Sequence, residues 1–183
     1  MRLARTAKPC TQRALAARSG IAQPNIASLE SESGRDATVD TVDRLVRAAG
    51  ARLTVLPTRS STVAEVAADV ADRLADDQPD RAYRAVIGLH DTLHNAEPAL
   101  RVALAVTRPA SVGDRRWDAL IAAVTEHNLK RLPLPIWIRE PERVADGWFV
   151  DDVPALADRI RLHTPPAFRR HGIWLDEAEL ASV

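Results

Sequence analysis

The chain has 183 residues, of which 46% are hydrophobic, and it carries 25 basic and 25 acidic side chains. This length suits one domain, or a small domain joined to a medium one. No run of 18 apolar residues occurs and no apolar segment follows the charged start, so we expect neither a transmembrane helix nor a secretory signal. The single cysteine excludes an internal disulfide and favours a cytoplasmic protein.

The first 50 residues have the pattern of several short helices. The apolar residues near Ala7 predict the end of a short first helix, which Pro9 interrupts. Thr11 predicts the N-cap of a second helix and Gly20 its C-cap, while Pro24 suits the first turn of a third. A loop over 31–38 precedes a last helix that ends at Gly50. The expected apolar positions of these helices are Ala14, Leu15, Ala17, Ile26, Leu29, Val39, Val42, Leu45, Val46 and Ala49.

Two short helices joined by a tight turn can place the second in the DNA major groove. The motif TQxxLAxxxGIxQxxIxxLE over 11–30, followed by VDTVDRLVRAAG over 39–50, resembles the Cro/repressor, or xenobiotic-response-element (XRE), family of helix-turn-helix domains. The resemblance covers about residues 2–53 and implies a double-stranded DNA operator as partner. It implies base reading by Gln23, Pro24, Asn25 and Ser28, and phosphate contacts by Gln12 and Arg35. Because Pro24 has no polar side chain, we expect the reading to depend on the other three residues. The nearby basic residues Arg5, Lys8 and Arg13 are further candidates for phosphate binding.

The segment ARLTVLP over 51–57 alternates apolar and polar residues and predicts a short strand. In antitoxin relatives of the family such a strand pairs with its twofold mate, which implies a homodimer. We therefore expect a DNA-binding domain over 1–58. This range holds nine basic and five acidic residues, a formal charge of +4, so the remainder carries −4. That asymmetry suits DNA binding at one end of the chain.

The second predicted domain, 59–183, is mostly helical. Apolar stripes predict helices over about 63–74, 82–93 and 117–124, and the segment ALRVALAVT after Pro98 is apolar on nearly all sides, which predicts a central helix. After Leu132 the sequence is rich in Pro and Trp, with short extended pieces and a brief helix near 154–160. The expected fold class is mainly α: a four- to five-helix helix-turn-helix domain, a short strand, and a helical domain with an irregular tail.

The segment 116–183, with LPxPxW and TPPAFRRHGIWLD, resembles the C-terminal region of actinobacterial antitoxin-type regulators. That resemblance implies a nucleotidyltransferase-like toxin as protein partner. The aromatic and arginine content is typical of a binding hot spot, although these aromatics could equally form the domain core, Trp117 most clearly. The candidate partner-binding residues are Trp137, Trp148, Phe149, Phe168, Arg169, Arg170 and Trp174.

His90, Asp91 and His94 form an HDxxH pattern on one predicted helix face. Some regulators join an XRE domain to a zinc metallopeptidase with HExxH, so this is an alternative function. Against it, Asp replaces the Glu general base, and two surface histidines on a solvated helix face are the simpler explanation of the pattern. Candidate third ligands are Glu97, His127, His163 and His171.

We expect no catalytic residue, no metal and no cofactor. The sequence therefore predicts a sequence-specific DNA-binding transcriptional regulator, most specifically an antitoxin that represses its own operon. A stand-alone ligand-sensing repressor and a pure interaction module are further alternatives.

Overall fold

The computed structural model describes residues 10–31, 36–53, 55, 58–139, 143–150 and 153–180. The chain divides into two compact units, residues 1–57 and residues 58–183. The fold is mainly α, as predicted, with ten α-helices and one two-stranded sheet in the described ranges. None of these helices is both long enough and apolar enough to cross a membrane.

Three helices form the described part of the first unit: α1 Gln12–Ser19, α2 Gln23–Glu30 and α3 Val39–Ala48. The predicted caps are confirmed, because Thr11 Oγ1 accepts a hydrogen bond from Ala14 N–H at 3.1 Å and Gly20 has a φ of 70°. Thr38 likewise caps α3 through Thr41 N–H at 3.3 Å. The small core is formed by fully or almost fully buried side chains of the three helices and of the turn after α3: Leu15, Ile26, Leu45 and Ala49.

The C-terminal end of the first unit differs from the prediction, and its N-terminal end lies outside the described residues. The predicted short first helix lies outside the described residues. The described part of 51–57, residues 51–53 and 55, is not a strand. Ala51 N–H instead closes the end of α3 by donating to Val46 O at 3.0 Å, and no neighbouring strand pairs with these residues in the described chain. Val55 is 83% exposed.

The second unit contains four longer helices and an irregular tail. The four are α4 Val63–Ala75, α5 Pro79–Asn95, α6 Pro98–Ala105 and α7 Arg115–Asn128. The tail elements are α8 Ile136–Arg139, β1 Trp148–Phe149, a 3₁₀ helix Pro154–Leu156, α9 Ala157–His163, α10 Pro166–His171, β2 Ile173–Trp174 and a 3₁₀ helix Glu177–Leu180. The two strands pair in parallel, with Trp148 opposite Ile173 and Phe149 opposite Trp174.

Helix α7 is the centre of the second unit. It packs against α4, α5, α10 and β2. The predicted core positions of α5 and α7 are confirmed as buried: Ala82, Val86, Leu89, Leu93, Trp117, Leu120, Ile121 and Val124. The prediction that the ALRVALAVT segment after Pro98 is central is wrong, since α6 ends at Ala105 and Val106 is 61% exposed. Only Leu104 and Ala105, in its last turn, are buried.

Arg101 ties the C-terminal ends of two helices together. Its Nη1 donates to Asn128 O of α7 at 3.0 Å, and its Nη2 donates to His94 O and Ala96 O, at the end of α5, at 2.8 and 2.9 Å. The last carbonyls of a helix have no partner within it and carry partial negative charge. One guanidinium therefore satisfies carbonyl groups of two helices at once.

Replacing Phe168 by Ala tests this core. Phe168 is fully buried, so we expect the free energy of unfolding of the second unit to fall by about 3–5 kcal/mol. Tryptophan fluorescence during urea unfolding reports on this unit alone, because all four tryptophans lie beyond residue 58. The matched control, Phe149→Ala, removes a half-buried ring and should cost clearly less; equal losses would contradict the core assignment.

Candidate functional site

The helix-turn-helix arrangement of α1 and α2 is held by the core of the first unit. Leu15 on α1 and Ile26 on α2 meet Leu45 of α3, and all three are fully buried. The turn between α1 and α2 is only Gly20, Ile21 and Ala22 long, and it depends on the positive φ of Gly20. The N-terminus of α2 consequently projects Gln23, Pro24 and Asn25 into solvent.

A chain of amide hydrogen bonds crosses the exposed ends of α1 and α2. Gln12 Nε2 donates to Glu30 Oε2 at 2.9 Å, and Gln23 Nε2 donates to Gln12 Oε1 at 3.0 Å. An ionised carboxylate only accepts, so Glu30 fixes which side of the Gln12 amide faces it. Gln12 Oε1 in turn accepts one N–H of the exposed Gln23, whose own Oε1 and second N–H take part in no other described hydrogen bond. We call Glu30, Gln12 and Gln23 the amide relay.

The other predicted DNA-contacting residues lie in different surroundings. Asn25 and Ser28 line a shallow hollow of about 490 Å³ between α2 and α3, together with Thr41 and Arg44. Arg13 is exposed on α1. Arg5, Lys8 and Arg35 lie outside the described residues. Sequence reasoning did not select Arg44, which is exposed and donates through Nη2 to Ser19 O, the end of α1, at 2.9 Å.

The candidate partner-binding residues of the second unit are divided between core and surface. Phe168 is in the core, and the half-buried Trp137 donates from Nε1 to Ala105 O at 3.0 Å. Trp148 packs against Trp117 with ring centroids 5.6 Å apart. Arg169 is exposed, whereas Arg170 forms an ion pair with Glu126.

Phe149 and Trp174 form an aromatic pair on the side of the two strands opposite Trp148 and Ile173. Their rings stack at 6.1 Å, and the Arg161 guanidinium lies 5.3 Å from the Phe149 ring centroid and 6.0 Å from that of Trp174. Such an arrangement is a cation–π contact. The sequence did not single out Arg161, because only the parallel pairing of β1 with β2 brings α9 over these rings.

Glu126 is a buried carboxylate that the sequence reasoning missed. Arg170 Nε donates to its Oε1 at 2.9 Å, and the His171 ring nitrogen Nε2 lies 2.9 Å from its Oε2. Burial alone would raise the pKa of Glu126, but the hydrogen bonds from His171 and Arg170 outweigh it and hold the pKa below its usual value. Apolar spacing gave no signal for Glu126, because at about 3.6 residues per turn it lies on the face of α7 opposite Trp117.

His90 and His94 meet a third imidazole, that of His127. The ring centroid of His90 is 5.5 Å from that of His94 and 5.8 Å from that of His127. The other candidate ligands are elsewhere: His163 lies beside Asp176, His171 beside Glu126, and Glu97 is exposed before α6. Among the residues that the structure describes, no three His, Cys, Asp or Glu side chains are arranged to hold a metal ion.

Comparisons with protein-family models, with curated proteins and with solved structures give no match for this chain.

Replacing Glu126 by Gln tests the buried ion pair. We expect the free energy of unfolding of the second unit to fall by about 1–3 kcal/mol at pH 7, because the charge-assisted hydrogen bonds from Arg170 and His171 are weakened. Because the pKa of Glu126 is lowered in the folded protein, its ionised form stabilises the fold at pH values above the ordinary pKa of a glutamate. This contribution is lost as the pH falls through the lowered pKa of the folded state. The difference between wild type and variant should therefore shrink toward pH 3.

Urea unfolding followed by tryptophan fluorescence at several pH values measures this difference. Glu97→Gln, a change at an exposed carboxylate, is the matched control and should stay within about 0.5 kcal/mol of wild type. If the free energies of unfolding of Glu126→Gln and wild type differ by the same amount at pH 3 and at pH 7, the ionised Glu126 carboxylate does not stabilise the fold as described.

Proposed function

We propose that this chain is a sequence-specific DNA-binding transcriptional regulator of the antitoxin type, which acts as a homodimer and represses its own operon. The observation that carries the proposal is the pair α1 and α2: a three-residue turn joins two short helices over a shared core, and the second helix presents exposed amide side chains at its N-terminus. A helix-turn-helix reads DNA by placing those N-terminal residues against base edges in the major groove.

The amide relay supports readout of adenine. Gln12, itself oriented by Glu30, holds one N–H of the exposed Gln23, so the Oε1 acceptor and the second N–H of Gln23 stay available to a base. Adenine presents the complementary pair in the major groove, the N6 amino donor and the N7 acceptor. A side chain already held in one orientation loses less conformational freedom on binding. Asn25, exposed two residues later, has the same amide chemistry.

Phosphate binding is supported by charge. Residues 1–58 carry +4 while the rest of the chain carries −4. Arg13 is exposed on α1, and the N-terminal N–H groups of α1 and α2 favour anions. Contacts of this kind set affinity and register on the duplex and carry no sequence information themselves.

The proposed dimer follows from the geometry that a helix-turn-helix needs. Two copies related by a twofold axis read two half-sites one helical turn apart. Leu53 and Val55 are exposed apolar residues after α3, where the sequence predicts a strand pairing between subunits. Within the described chain these residues have no strand partner, which leaves their backbone groups for a second copy.

The second unit is proposed to bind a protein partner, a nucleotidyltransferase-like toxin. Support comes from the half-buried aromatic pair Phe149 and Trp174, whose rings the exposed Arg161 contacts. Aromatic residues and arginine dominate the energetics of protein interfaces. Phe168 has no such role in the proposal, because its ring is in the core.

Alanine substitutions at Gln23 and Asn25 test base reading. Each should weaken binding to the cognate duplex by about 1–3 kcal/mol while leaving binding to random duplex unchanged. Fluorescence anisotropy with DNA from upstream of the gene measures both affinities for the full chain. The matched controls are Gln78→Ala and Asn95→Ala, which remove the same side chains from the second unit. Equal losses on cognate and random DNA would show that these residues do not read bases.

Replacing Glu30 by Gln tests the amide relay. The neutral side chain no longer forces one orientation of the Gln12 amide, so the ratio of cognate to random affinity should fall about fivefold, roughly 1 kcal/mol. Binding to random duplex should strengthen, because a negative charge near the phosphates is lost. The control Asp40→Asn removes an exposed charge from α3 without touching the relay. Should both variants keep the wild-type ratio, the relay has no part in specificity.

A further inference from the structure

An open cavity of about 460 Å³ in the second unit is lined mainly by polar and titratable residue types. It is built from α5, α6, the end of α7 with the following turn, and the last 3₁₀ helix. Leu180 is its one apolar lining residue. The titratable and charged groups that face it are His90, Asp91 and His94 of α5, Arg101 of α6, His127 and Lys130 around the end of α7, and Glu177.

Asn128 determines which nitrogen of His90 carries the proton. The Asn128 Nδ2 amide donates to Val124 O at 2.9 Å, and a carbonyl can only accept, so the amide orientation is settled. The second N–H of the same amide meets His90 Nδ1 at 3.1 Å. Nδ1 is therefore the acceptor, and the neutral His90 ring carries its proton on Nε2.

Neutral His90 is consequently a donor that lines the cavity. The residue is only 8% exposed, yet none of the described hydrogen bonds uses its Nε2. Nε2 is not a fully buried atom, so this N–H can donate to an acceptor in the cavity. An N–H also cannot ligate a metal ion, which needs the nitrogen lone pair, so the cavity suits a hydrogen-bond acceptor better than a cation.

The fixed charges around the cavity cancel at neutral pH. Arg101 and Lys130 are balanced by Asp91 and Glu177, and Arg101 is already engaged with three backbone carbonyls. Lys130 is exposed at the rim, where its ammonium is accessible to a ligand. Net positive charge must therefore come from protonation of an imidazole.

We propose that this cavity binds a small molecule through an oxyanion group, a phosphate or a carboxylate, and takes up a proton as it does so. The oxyanion accepts hydrogen bonds from His90 Nε2 and from the Lys130 ammonium, and protonated imidazole supplies the remaining charge. The cavity volume is in the range of small-molecule sites. This binding is independent of whether the first unit binds DNA.

The imidazoles of His90 and His127 explain why anion binding is coupled to proton uptake. Burial is the main cause that lowers the pKa of His90 below its usual value, and the nearby His94 is the second cause. Burial is likewise the main cause that lowers the pKa of His127, and the nearby Lys130 is the second. An anion in the cavity opposes both effects and raises these pKa values. The anion must then bind more tightly as the pH falls, because binding and proton uptake are linked.

Isothermal titration calorimetry of the full chain with sodium sulfate and with sodium oxalate tests the proposal. Neither anion changes its charge between pH 6 and pH 8, so any pH dependence belongs to the protein. We expect one-to-one binding that is about tenfold tighter at pH 6 than at pH 8. The measured heat should also change with the ionisation enthalpy of the buffer. Tighter sulfate binding indicates a phosphate-bearing ligand, and tighter oxalate binding a carboxylate.

Lys130→Gln should weaken binding about tenfold, since it removes one charge-assisted hydrogen bond and lies at an exposed position. Arg115→Gln makes the same charge change at the other end of α7 and should leave the affinity unchanged. The proposal is overturned if neither anion gives saturable heat, if affinity is the same at both pH values, or if both variants weaken binding equally.

Discussion

The ends of short helices are the constraint on which this structure depends. An α-helix leaves its first four N–H groups and last four carbonyls without partners, so a chain of short helices has many such groups to satisfy. Thr11 and Thr38 satisfy N-terminal groups in the first unit, and Arg44 reaches the end of α1. In the second unit Arg101 serves two helix ends at once. Both candidate sites lie beside these ends, where polar side chains are already held in place.

Local signals in the sequence predicted much of the fold. Apolar spacing located α4, α5 and α7, and the cap residues Thr11, Gly20 and Thr38 located ends of α1 and α3, because these features depend on neighbours three or four residues apart. Contacts between distant residues had no such signal. The Glu126–His171 hydrogen bond joins residues 45 apart in the sequence, and the β1–β2 pair depends on two-residue strands. The central position of α7 was likewise missed, because a fully apolar segment elsewhere gave the stronger local pattern.

The candidate sites were predictable in composition but not in geometry. The amide side chains of Gln12 and Gln23 are evident in the sequence, yet only the structure shows Glu30 orienting them. The HDxxH pattern is equally evident, but only the structure shows the Asn128 amide, which leaves the proton of neutral His90 on Nε2. In both cases a second polar residue, remote in sequence, decides what the recognised residue can do chemically. The same holds for Phe149 and Trp174, whose shared surface depends on strand pairing and on Arg161.

Selection of bound duplexes from a random pool, using the full chain at low salt, tests the central claim most directly. If the N-terminus of α2 reads base edges, the recovered sequences will converge on one motif with twofold-related halves and adenine at contacted positions. Selection with Gln23→Ala will then relax the preference at one position in each half. Recovery of sequences without any shared motif would contradict sequence-specific DNA binding by this chain.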